Sequence, residues 1–404
     1  MRSFFDLVGF EYKKIFKRKG AIIALALVTI LTLLLPMTVF MGNVPIGDGI
    51  VESAYQVRMK EREYARALSG RSIDEVLIEE VWKAYSKIPP VASNVSFVTI
   101  PEYREYAMPY SSIYQILNPV YGSQFRLMQN FSEEQVQNFY QIRHENVANK
   151  IATMNISDQS KDILMQSDRQ IETPLIFDYI GGYDYFLSML YTIGVFAAFA
   201  IAICLAPVFA GEYSTRTDQL ILTSKYGKNK IIKAKLFTGI SFCSCICLAL
   251  TILTYLIGCI ILGFDGENAP IQLWYSLAIH PLTMWQVAVI YSICFFFATI
   301  LVSAVTMVLS SVFKSPFGVI IIICILIFAP MMFNVPDNNI LLINLSKLLP
   351  TNMMWVWALF VDYHPYELFG LSLKPYVFLP VFAIALSCVL ILFSYRSFKN
   401  HQVE

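Results

Sequence analysis

Six long stretches of this chain contain no Asp, Glu, Lys, Arg or His, and no other feature of the sequence restricts the fold as strongly. In chain order they are Ala21–Met41, Phe186–Ala210, Leu236–Gly263, Met284–Phe313, Phe317–Phe333 and Tyr376–Tyr395. A helix needs about 20 apolar residues to cross the hydrocarbon layer, and it satisfies its own backbone hydrogen bonds there. The sequence therefore predicts an all-α polytopic membrane protein with six transmembrane helices, of which the fifth is the shortest.

The distribution of Lys and Arg between these runs predicts the orientation of the chain, because basic residues are enriched on the cytoplasmic side of membranes. Residues 1–20 carry six Lys and Arg against two acids, and residues 211–235 carry the same numbers. Residues 264–283 carry two acids and no Lys or Arg, and residues 42–185 carry 13 basic against 19 acidic residues. We therefore expect both termini in the cytosol and a large extracytoplasmic domain between the first and second spans.

These boundaries divide the chain into six parts. They are a cytosolic amphipathic helix (1–20), the first transmembrane helix (21–41), the extracytoplasmic domain (42–185), transmembrane helices two to five with the cytosolic loop 211–235 (186–333), a segment of short extracytoplasmic helices (334–375), and the sixth transmembrane helix with a cytosolic tail (376–404). The first part either lies in the membrane interface or serves only as a topology signal. The side chains expected to form its interfacial face are Phe5, Val8, Tyr12 and Phe16.

The sequence predicts a mainly helical domain over residues 42–185. Ser72–Glu75 and Ser132–Gln135 have the pattern of a capping box, in which Ser at a helix start is followed three residues later by Glu or Gln. The predicted elements are helices over 73–87, 133–153 and 158–170, a short strand over Val95–Ile100, and, before the last span, two short helices over Asn339–Leu349 and Asn352–Val361.

The sequence contains no recognisable catalytic or metal-binding motif. It has no G-x-x-x-x-G-K-[ST], H-E-x-x-H, G-x-S-x-G or C-x-x-C pattern, and its four histidines are far apart. Cys243, Cys245 and Cys247 cannot converge on one metal, because on a helix Cys245 points away from the other two. We therefore expect a chain that is not an enzyme, with no catalytic residue, no metal site and no cofactor of its own. The net charge of +1 gives no indication of a nucleic-acid partner.

Two stripes of small or hydroxylated residues lie within the predicted spans. The stripe in the second span consists of Gly194, Ala198, Ala202 and Ala206, and the one in the fourth span of Thr299, Ser303, Thr306 and Ser310. Small residues every four positions let another helix approach closely. The hydroxyl row either lines a transport pathway or bonds to its own backbone and to a neighbouring helix.

The loop 211–235 carries the most specific functional pattern. It is rich in basic residues, yet Leu220, Ile221 and Leu222 give it an apolar centre on a short amphipathic helix, and Tyr226–Asn229 predicts a turn. Basic residues alone indicate only the cytosolic side of the membrane. An apolar centre within a cytosolic loop indicates a surface on which another protein docks.

The segment Ala210–Leu236 resembles the cytosolic loop of permease subunits in the type-2 ABC exporter family (ABC-2 type transporters). In that family the second span leads into a glutamate, a short coupling helix, a Gly-basic turn and a lysine before the third span. The corresponding positions here are Gly211-Glu212, Thr215–Thr223, Gly227-Lys228 and Lys235. The amino-terminal helix and the pair of short helices before the last span are similar to that family as well. Two departures are the large exterior domain and Ser214-Thr215-Arg216 where the family often has a glycine.

The resemblance implies a bacterial plasma-membrane permease subunit that exports a peptide, lipid, drug or similar substrate. It implies a second permease chain, as a homodimer or heterodimer, and separate P-loop ATPase subunits that bind ATP and Mg²⁺. Within such a complex Glu212 caps or docks the coupling helix, and Arg216 and Asp218 make polar contacts. Leu220 and Leu222 fill a groove of the ATPase.

A protein of a different class is also compatible with the sequence: a membrane sensor or envelope assembly protein whose exterior domain binds a ligand. The loop distinguishes the two classes, because a sensor has no need of an ATPase-docking helix. A channel is less compatible, since the predicted spans contain no charged residues that form a pore ring. The acidic exterior domain is a weak indication of cationic ligands, and the substrate stays open.

Overall fold

A computed structural model describes residues 4–46, 51–90, 97–122, 137–224, 226–332, 339–368 and 370–401 of the 404-residue chain. Its α-helices are α1 Phe4–Phe16, α2 Lys19–Thr38, α3 Ala54–Leu68, α4 Glu75–Tyr85, α5 Ser111–Tyr121, α6 Phe139–Thr153, α7 Asp158–Arg169, α8 Gly181–Leu205, α9 Ala210–Ser214, α10 Asp218–Thr223, α11 Ile232–Leu262, α12 Met284–Val312, α13 Pro316–Phe328, α14 Ile340–Lys347, α15 Pro350–Met353, α16 Val356–Phe360 and α17 Pro375–Lys399. Two antiparallel hairpins pair β1 Asn43–Pro45 with β2 Val51–Ser53 and β3 Tyr366–Leu368 with β4 Leu371–Leu373. The described part of the chain is therefore mainly helical, as the sequence predicts.

Five of these helices are long and apolar enough to cross a membrane, which fits a multi-pass membrane protein. They are α2, α8, α11, α12 and α17, and they correspond to all the apolar runs except the fifth. The described part of the fifth run forms α13, of 13 residues, followed by a 3-10 turn that contains Pro330. A helix of that length rises about 20 Å, less than the hydrocarbon thickness of about 30 Å. A sixth span therefore stays a prediction.

The small-residue stripe of α8 allows close packing against α12. A Cβ built on Gly194 would lie only 2.2 Å from Cε2 of Phe295, so the glycine provides the space that this ring occupies. Ala198, Ala202 and Ala206 continue the stripe and are buried as well. The close helix approach predicted from this stripe is confirmed, and α8 packs against α2, α11 and α12 at the centre of the bundle.

Gly194→Ala is expected to destabilise the protein by about 1–3 kcal/mol, because the added methyl group must displace the Phe295 ring from a filled site. Gly9→Ala is the matched control, since Gly9 lies within α1 and nothing lies within 4 Å of its built Cβ. The control is expected to stabilise by up to about 1 kcal/mol, because Ala favours a helix over Gly. Thermal unfolding of both purified variants in detergent measures the effects, and equal melting temperatures would contradict the packing.

The segment between α2 and α8 is named here the inter-span domain, residues 42–180. The helix predicted over 73–87 is present as α4, but the predicted capping box at Ser72 is wrong. Asp74 is the N-cap, and its carboxylate accepts a hydrogen bond from the Leu77 amide at 3.0 Å. Ser72 instead forms an isolated antiparallel bridge with Ile176, and this pairing keeps its backbone out of the helix.

Two later helices of this domain are also present. α7 matches the helix predicted over 158–170, and α6 matches the described part of the helix predicted over 133–153. The capping box Ser132–Gln135, expected to start the second of these helices, lies outside the described residues.

The strand predicted over Val95–Ile100 is wrong for the part described, because Phe97–Thr99 forms a 3-10 turn. The Phe97 ring packs edge-on against Tyr85 and stacks on Tyr103, with ring centroids 6.0 and 5.7 Å away. Phe97 is thus held by an aromatic cluster rather than by strand pairing.

The hydrophobic core of the inter-span domain continues into the bundle. Ile73, Leu77 and Val81 in the domain belong to the same contiguous cluster as Leu187 and Leu190 on α8. All five side chains are fully buried. The domain and the bundle therefore pack as one body on this side.

A buried ion pair also ties the domain to the loop between α11 and α12. Arg143 on α6 is 4% exposed and forms a 2.8 Å salt bridge with Asp168 on α7. The same guanidinium donates from Nε to the Ser276 carbonyl at 2.7 Å and from Nη2 to the Ala278 carbonyl at 2.9 Å. One side chain thus fixes two domain helices and a loop of the bundle in a single geometry.

The segment before α17 contains three short helices where the sequence predicts two. The first, α14, begins at its cap Asn339, whose side chain accepts a hydrogen bond from the Leu342 amide at 3.1 Å. The helix predicted over Asn352–Val361 is wrong as a single element. Trp355 has an extended backbone, with φ −91° and ψ 116°, and it separates α15 from α16.

Candidate functional site

The predicted docking loop folds into a compact junction at one end of the bundle. After α8 the chain forms α9, a turn, α10 and a π-helical turn, Gly227–Ile231, that runs directly into α11. The turn predicted over Tyr226–Asn229 is confirmed in position as the start of this π-helical turn. α1 packs alongside α11 and completes the junction.

Four charged side chains from three helices meet at the centre of this junction: Glu11 and Lys14 from α1, Glu212 from α9 and Lys235 from α11. We name them the junction cluster. Lys235 has 0% exposure, and its ammonium donates to Glu11 Oε2 at 2.9 Å and to Glu212 Oε1 at 2.6 Å. Its third hydrogen bond goes to the Val208 carbonyl at 3.0 Å, so every ammonium proton has an acceptor. Lys14 donates to Glu212 Oε1 at 2.7 Å and lies 3.4 Å from Glu11 Oε1.

The ion pairs keep the Glu212 carboxyl charged in spite of its burial. Burial alone raises the pKa of this group, but the charge of Lys235 and hydrogen bonds from Lys14, Lys235 and Thr217 outweigh it and lower the pKa to about 2. Thr217 Oγ1 donates to Glu212 Oε2 at 2.5 Å. For Lys14, the two carboxylates outweigh burial and raise the pKa of the ammonium. The cluster contains two acids and two bases, and this balance suits a site that is closed to water.

Of the two leucines predicted to dock, the structure exposes one and buries the other. Leu220 on α10 is 74% exposed, whereas Leu222 is 6% exposed. Leu222 packs inside the junction in a cluster with Ile15, Phe209 and Phe398. In this conformation only Leu220 offers its side chain to a partner.

Arg216 and Asp218 lie on either side of the connection between α9 and α10. Arg216 is exposed and has a φ of 55°, in the left-handed region that residues other than glycine rarely adopt. Asp218 is 6% exposed, and its carboxylate lies 3.7 Å from Nε2 of His401, which follows α17. Arg216 thus reaches solvent, while Asp218 belongs to the interior of the junction.

The predicted interfacial helix α1 has one face on the bundle and one face exposed. Val8 is buried, and the Tyr12 hydroxyl is 2.8 Å from Ser241 Oγ on α11. Phe5 and Phe16 are 73% and 49% exposed. Tyr12 and Phe16 therefore both contact α11, Phe16 through an edge-on ring contact with Phe242 at 6.0 Å between centroids, and Phe5 is the most exposed of the four.

The sequence interpretation assigned positions to Glu212 and Lys235 but missed the roles of Glu11 and Lys14. The pattern that could have indicated Glu11 is its placement three residues after Val8 and four before Ile15, on the buried face of the helix. A glutamate on such a face needs a cationic partner. Nothing local in the sequence identifies Lys235 as that partner, because 224 residues separate the two.

The hydroxyl row of α12 is closed within the bundle. Its members Thr299, Ser303, Thr306 and Ser310 all have 0% exposure. Thr306 donates to a carbonyl of its own helix at 2.7 Å, whereas Ser310 donates to the Ala206 carbonyl at 2.6 Å. Ser310 Oγ also accepts from the amides of Phe209 and Ala210 at 2.9 and 3.0 Å. In this conformation the row bonds to backbone and neighbouring helices, which is the second of the two interpretations above.

The three closely spaced cysteines of α11 divide as their helical spacing predicts. Cys243 and Cys247 are buried against α12, where the Thr299 hydroxyl donates to Cys247 Sγ at 3.1 Å. Cys245 is exposed on another face. Within the ranges given above, no group of three or more His, Cys, Asp or Glu side chains is arranged to hold a metal ion.

Comparisons with known proteins give no relative from which a function can be transferred. No protein-family model matches the chain, and neither does any curated protein or solved structure. The chemistry of the junction therefore has to be interpreted from the residues of this chain.

Glu212→Gln is expected to lower the free energy of unfolding by about 3 kcal/mol near neutral pH, because it leaves Lys235 buried with one carboxylate instead of two. The wild-type carboxylate is stabilising above its ordinary pKa near 4.5 and loses that contribution as the pH falls toward 2, where the folded protein also binds the proton. The difference between wild type and variant should therefore shrink across this range.

Denaturant unfolding of both proteins in detergent from pH 7 to pH 3 measures this difference. Glu63→Gln is the matched control, since Glu63 is exposed on α3 and its replacement is expected to change stability by less than about 0.5 kcal/mol. A wild-type advantage over Glu212→Gln that does not depend on pH would contradict the ion-paired assignment.

Proposed function

We propose that this chain is the membrane-spanning permease subunit of an ATP-driven exporter of the type-2 ABC family. The observation that carries the proposal is an exposed leucine, Leu220, on a short helix that a buried ion cluster attaches to the bundle. A flexible basic loop would deform when a partner binds, and it would pass little of the partner's movement to the transmembrane helices. A docking helix fixed by buried charges transmits its displacement to the helices that hold those charges.

The displacement of α10 has a continuous route into the spans. Glu212, six residues before α10, is bonded to Lys235 near the start of α11. The Ser310 hydroxyl on α12 accepts hydrogen bonds from the backbone amides of Phe209 and Ala210 at the start of α9. The Tyr213 hydroxyl donates a hydrogen bond to the Ser311 carbonyl at 2.9 Å. Movement of α10 therefore acts on α1, α8, α11 and α12 together.

In the proposed complex, separate P-loop ATPase subunits bind ATP and Mg²⁺, and each receives an α10 in a surface groove. A second permease chain, identical or related, completes the transporter. Both termini and the junction lie in the cytosol of a bacterial cell, the inter-span domain lies outside the plasma membrane, and α13 forms a sixth span. Closure of the ATPases then turns the spans and moves a peptide, lipid, drug or similar substrate outward.

A membrane sensor or envelope assembly protein is the second candidate, and a separate observation favours it. The core of the inter-span domain is continuous with the core around α8, and Arg143 ties the domain to the loop before α12. A ligand that binds the domain would thus act on the spans directly. The presence or absence of an ATPase partner separates the two candidates.

Leu220→Asp is expected to abolish co-purification of an ATPase, because a carboxylate in an apolar groove loses its hydration without gaining a partner. Leu371→Asp is the matched control, since Leu371 is 63% exposed on β4, in the hairpin before α17. The measurement is affinity purification of each tagged protein from its native membrane in mild detergent, followed by mass spectrometry. Leu222→Asp should instead unfold the junction, because that side chain is buried.

A stoichiometric ATPase with wild type and Leu371→Asp, and none with Leu220→Asp, supports the docking helix. Equal recovery of the ATPase with all three proteins would place the docking surface elsewhere. A folded, monodisperse wild-type preparation that contains no ATPase would contradict the exporter proposal and favour the sensor.

A further inference from the structure

A cavity of about 340 Å³ lies where the inter-span domain meets the ends of α2, α8 and α11. Val39 just past α2, Met189 on α8 and Leu262 at the end of α11 form part of its apolar wall. These helices are three of the five that are long and apolar enough to cross a membrane. The volume lies within the range of small-molecule sites, about 300–1,000 Å³.

Five charged residues line this cavity, Arg58, Glu61, Arg62, Asp178 and Asp184, and among them the acid Asp184 and the base Arg62 do not pair with each other. Asp184 on α8 accepts one hydrogen bond, from Trp274 Nε1 at 3.0 Å, and Arg62 on α3 donates one, from Nη1 to the Ile261 carbonyl at 3.2 Å. Neither forms a salt bridge with any residue that the structure describes. Two opposite charges kept apart on the wall of one cavity provide separate partners for a ligand that carries both charges.

The bases next to Arg62 on the same helix behave differently. Arg58 forms a 3.3 Å salt bridge with Glu61, and Arg66 forms a 2.5 Å salt bridge with Asp265. Acidic residues therefore lie near this face of α3, and the neighbouring arginines form salt bridges with them. Arg62 is the exception on this helix, and it lines the cavity together with the paired Arg58 and Glu61.

Three residues that line the cavity each carry a buried polar atom with no hydrogen-bond partner within the described structure: the Tyr185 hydroxyl, Arg62 Nε and the Ser112 hydroxyl. Tyr185 is only 6% exposed. Buried polar atoms are bonded in the great majority of cases, so three unpartnered atoms on residues around one cavity are polar groups that a bound molecule can satisfy after a small side-chain movement.

We propose that the cavity binds one phospholipid with a zwitterionic headgroup. The phosphate pairs with Arg62 and the ammonium group pairs with Asp184. The hydroxyls of Tyr185 and Ser112 donate to the phosphate or ester oxygens. The acyl chains leave along the apolar wall formed by the ends of the three helices.

The position of the cavity favours a lipid over an amphipathic peptide. Phospholipid headgroups lie at the level where transmembrane helices leave the hydrocarbon, and α2, α8 and α11 all end or begin at the cavity. A lipid needs no route through water to reach this place, whereas a peptide does. The proposal does not depend on an ATPase partner, so its outcome is separate from that of the exporter proposal.

The test measures binding of three probes to the full-length protein in detergent by native mass spectrometry. They are a short-chain phosphatidylethanolamine, the matching phosphatidylglycerol, which lacks the ammonium group, and dodecylamine, which lacks the phosphate. We expect phosphatidylethanolamine to bind about tenfold tighter than either other probe, because it alone makes both charged contacts.

Variants separate the two contacts. Asp184→Asn should weaken phosphatidylethanolamine about tenfold and leave phosphatidylglycerol unchanged, whereas Arg62→Gln should weaken both phospholipids and leave dodecylamine unchanged. Asp265→Asn is the matched control, since this acid pairs with Arg66 and is not part of the cavity wall, and it should change none of the three affinities.

The Tyr185→Phe variant distinguishes a loss of lipid binding from a loss of folding. The Tyr185 hydroxyl has no partner in the described structure, so its removal should leave the melting temperature of the lipid-free protein unchanged or raised and still weaken phosphatidylethanolamine a few-fold. Equal affinity for the three probes overturns the proposal, as does an unchanged affinity in Asp184→Asn and Arg62→Gln. Displacement of the lipid by a cationic amphipathic peptide at equal or lower concentration would assign the cavity to peptides instead.

Discussion

The junction depends on a single constraint, the complete burial of the Lys235 ammonium group. A lone buried ammonium is too costly for a folded protein, so two carboxylates and a carbonyl have to be held around it. Glu11 comes from an amino-terminal helix and Glu212 from the loop after α8, so satisfying one lysine forces three separate parts of the chain into one geometry. The position of α10 and the exposure of Leu220 both follow from that requirement.

The opposite side of the bundle is fixed by different means. There the core is mainly apolar and runs from the inter-span domain into α8, with the buried pair of Arg143 and Asp168 at its edge. The apolar core is the larger component on this side, whereas the junction combines a smaller apolar cluster with four charged side chains. The two sides thus differ in how much of their packing is apolar and how much is charged.

Features of the fold that depend on local pattern could be predicted from the sequence, and those that depend on distant partners could not. Apolar runs predict the five long helices because hydropathy needs no knowledge of neighbours. The capping box at Ser72 fails because Ile176, more than a hundred residues away, pairs with that backbone. The single helix expected over Asn352–Val361 fails because Trp355 adopts an extended backbone. In the candidate site, the loop pattern predicts Glu212 and Leu220. The role of Glu11 depends on Lys235 of α11, and the burial of Leu222 depends on Ile15 of α1 and Phe398 of α17, so no local pattern contains either.

The lengths of α11 and α13 have a consequence for the surrounding bilayer. α11 has 31 residues and extends about 46 Å, whereas α13 has 13 residues and extends about 20 Å. A hydrocarbon layer of about 30 Å is too thin for the first helix held upright and too thick for the second. If both cross, the membrane has to thin beside α13 while α11 tilts or projects into the headgroups. A chain in which both helices cross would impose a gradient of bilayer thickness around its own perimeter, and it would favour membranes and neighbouring proteins that match this uneven profile.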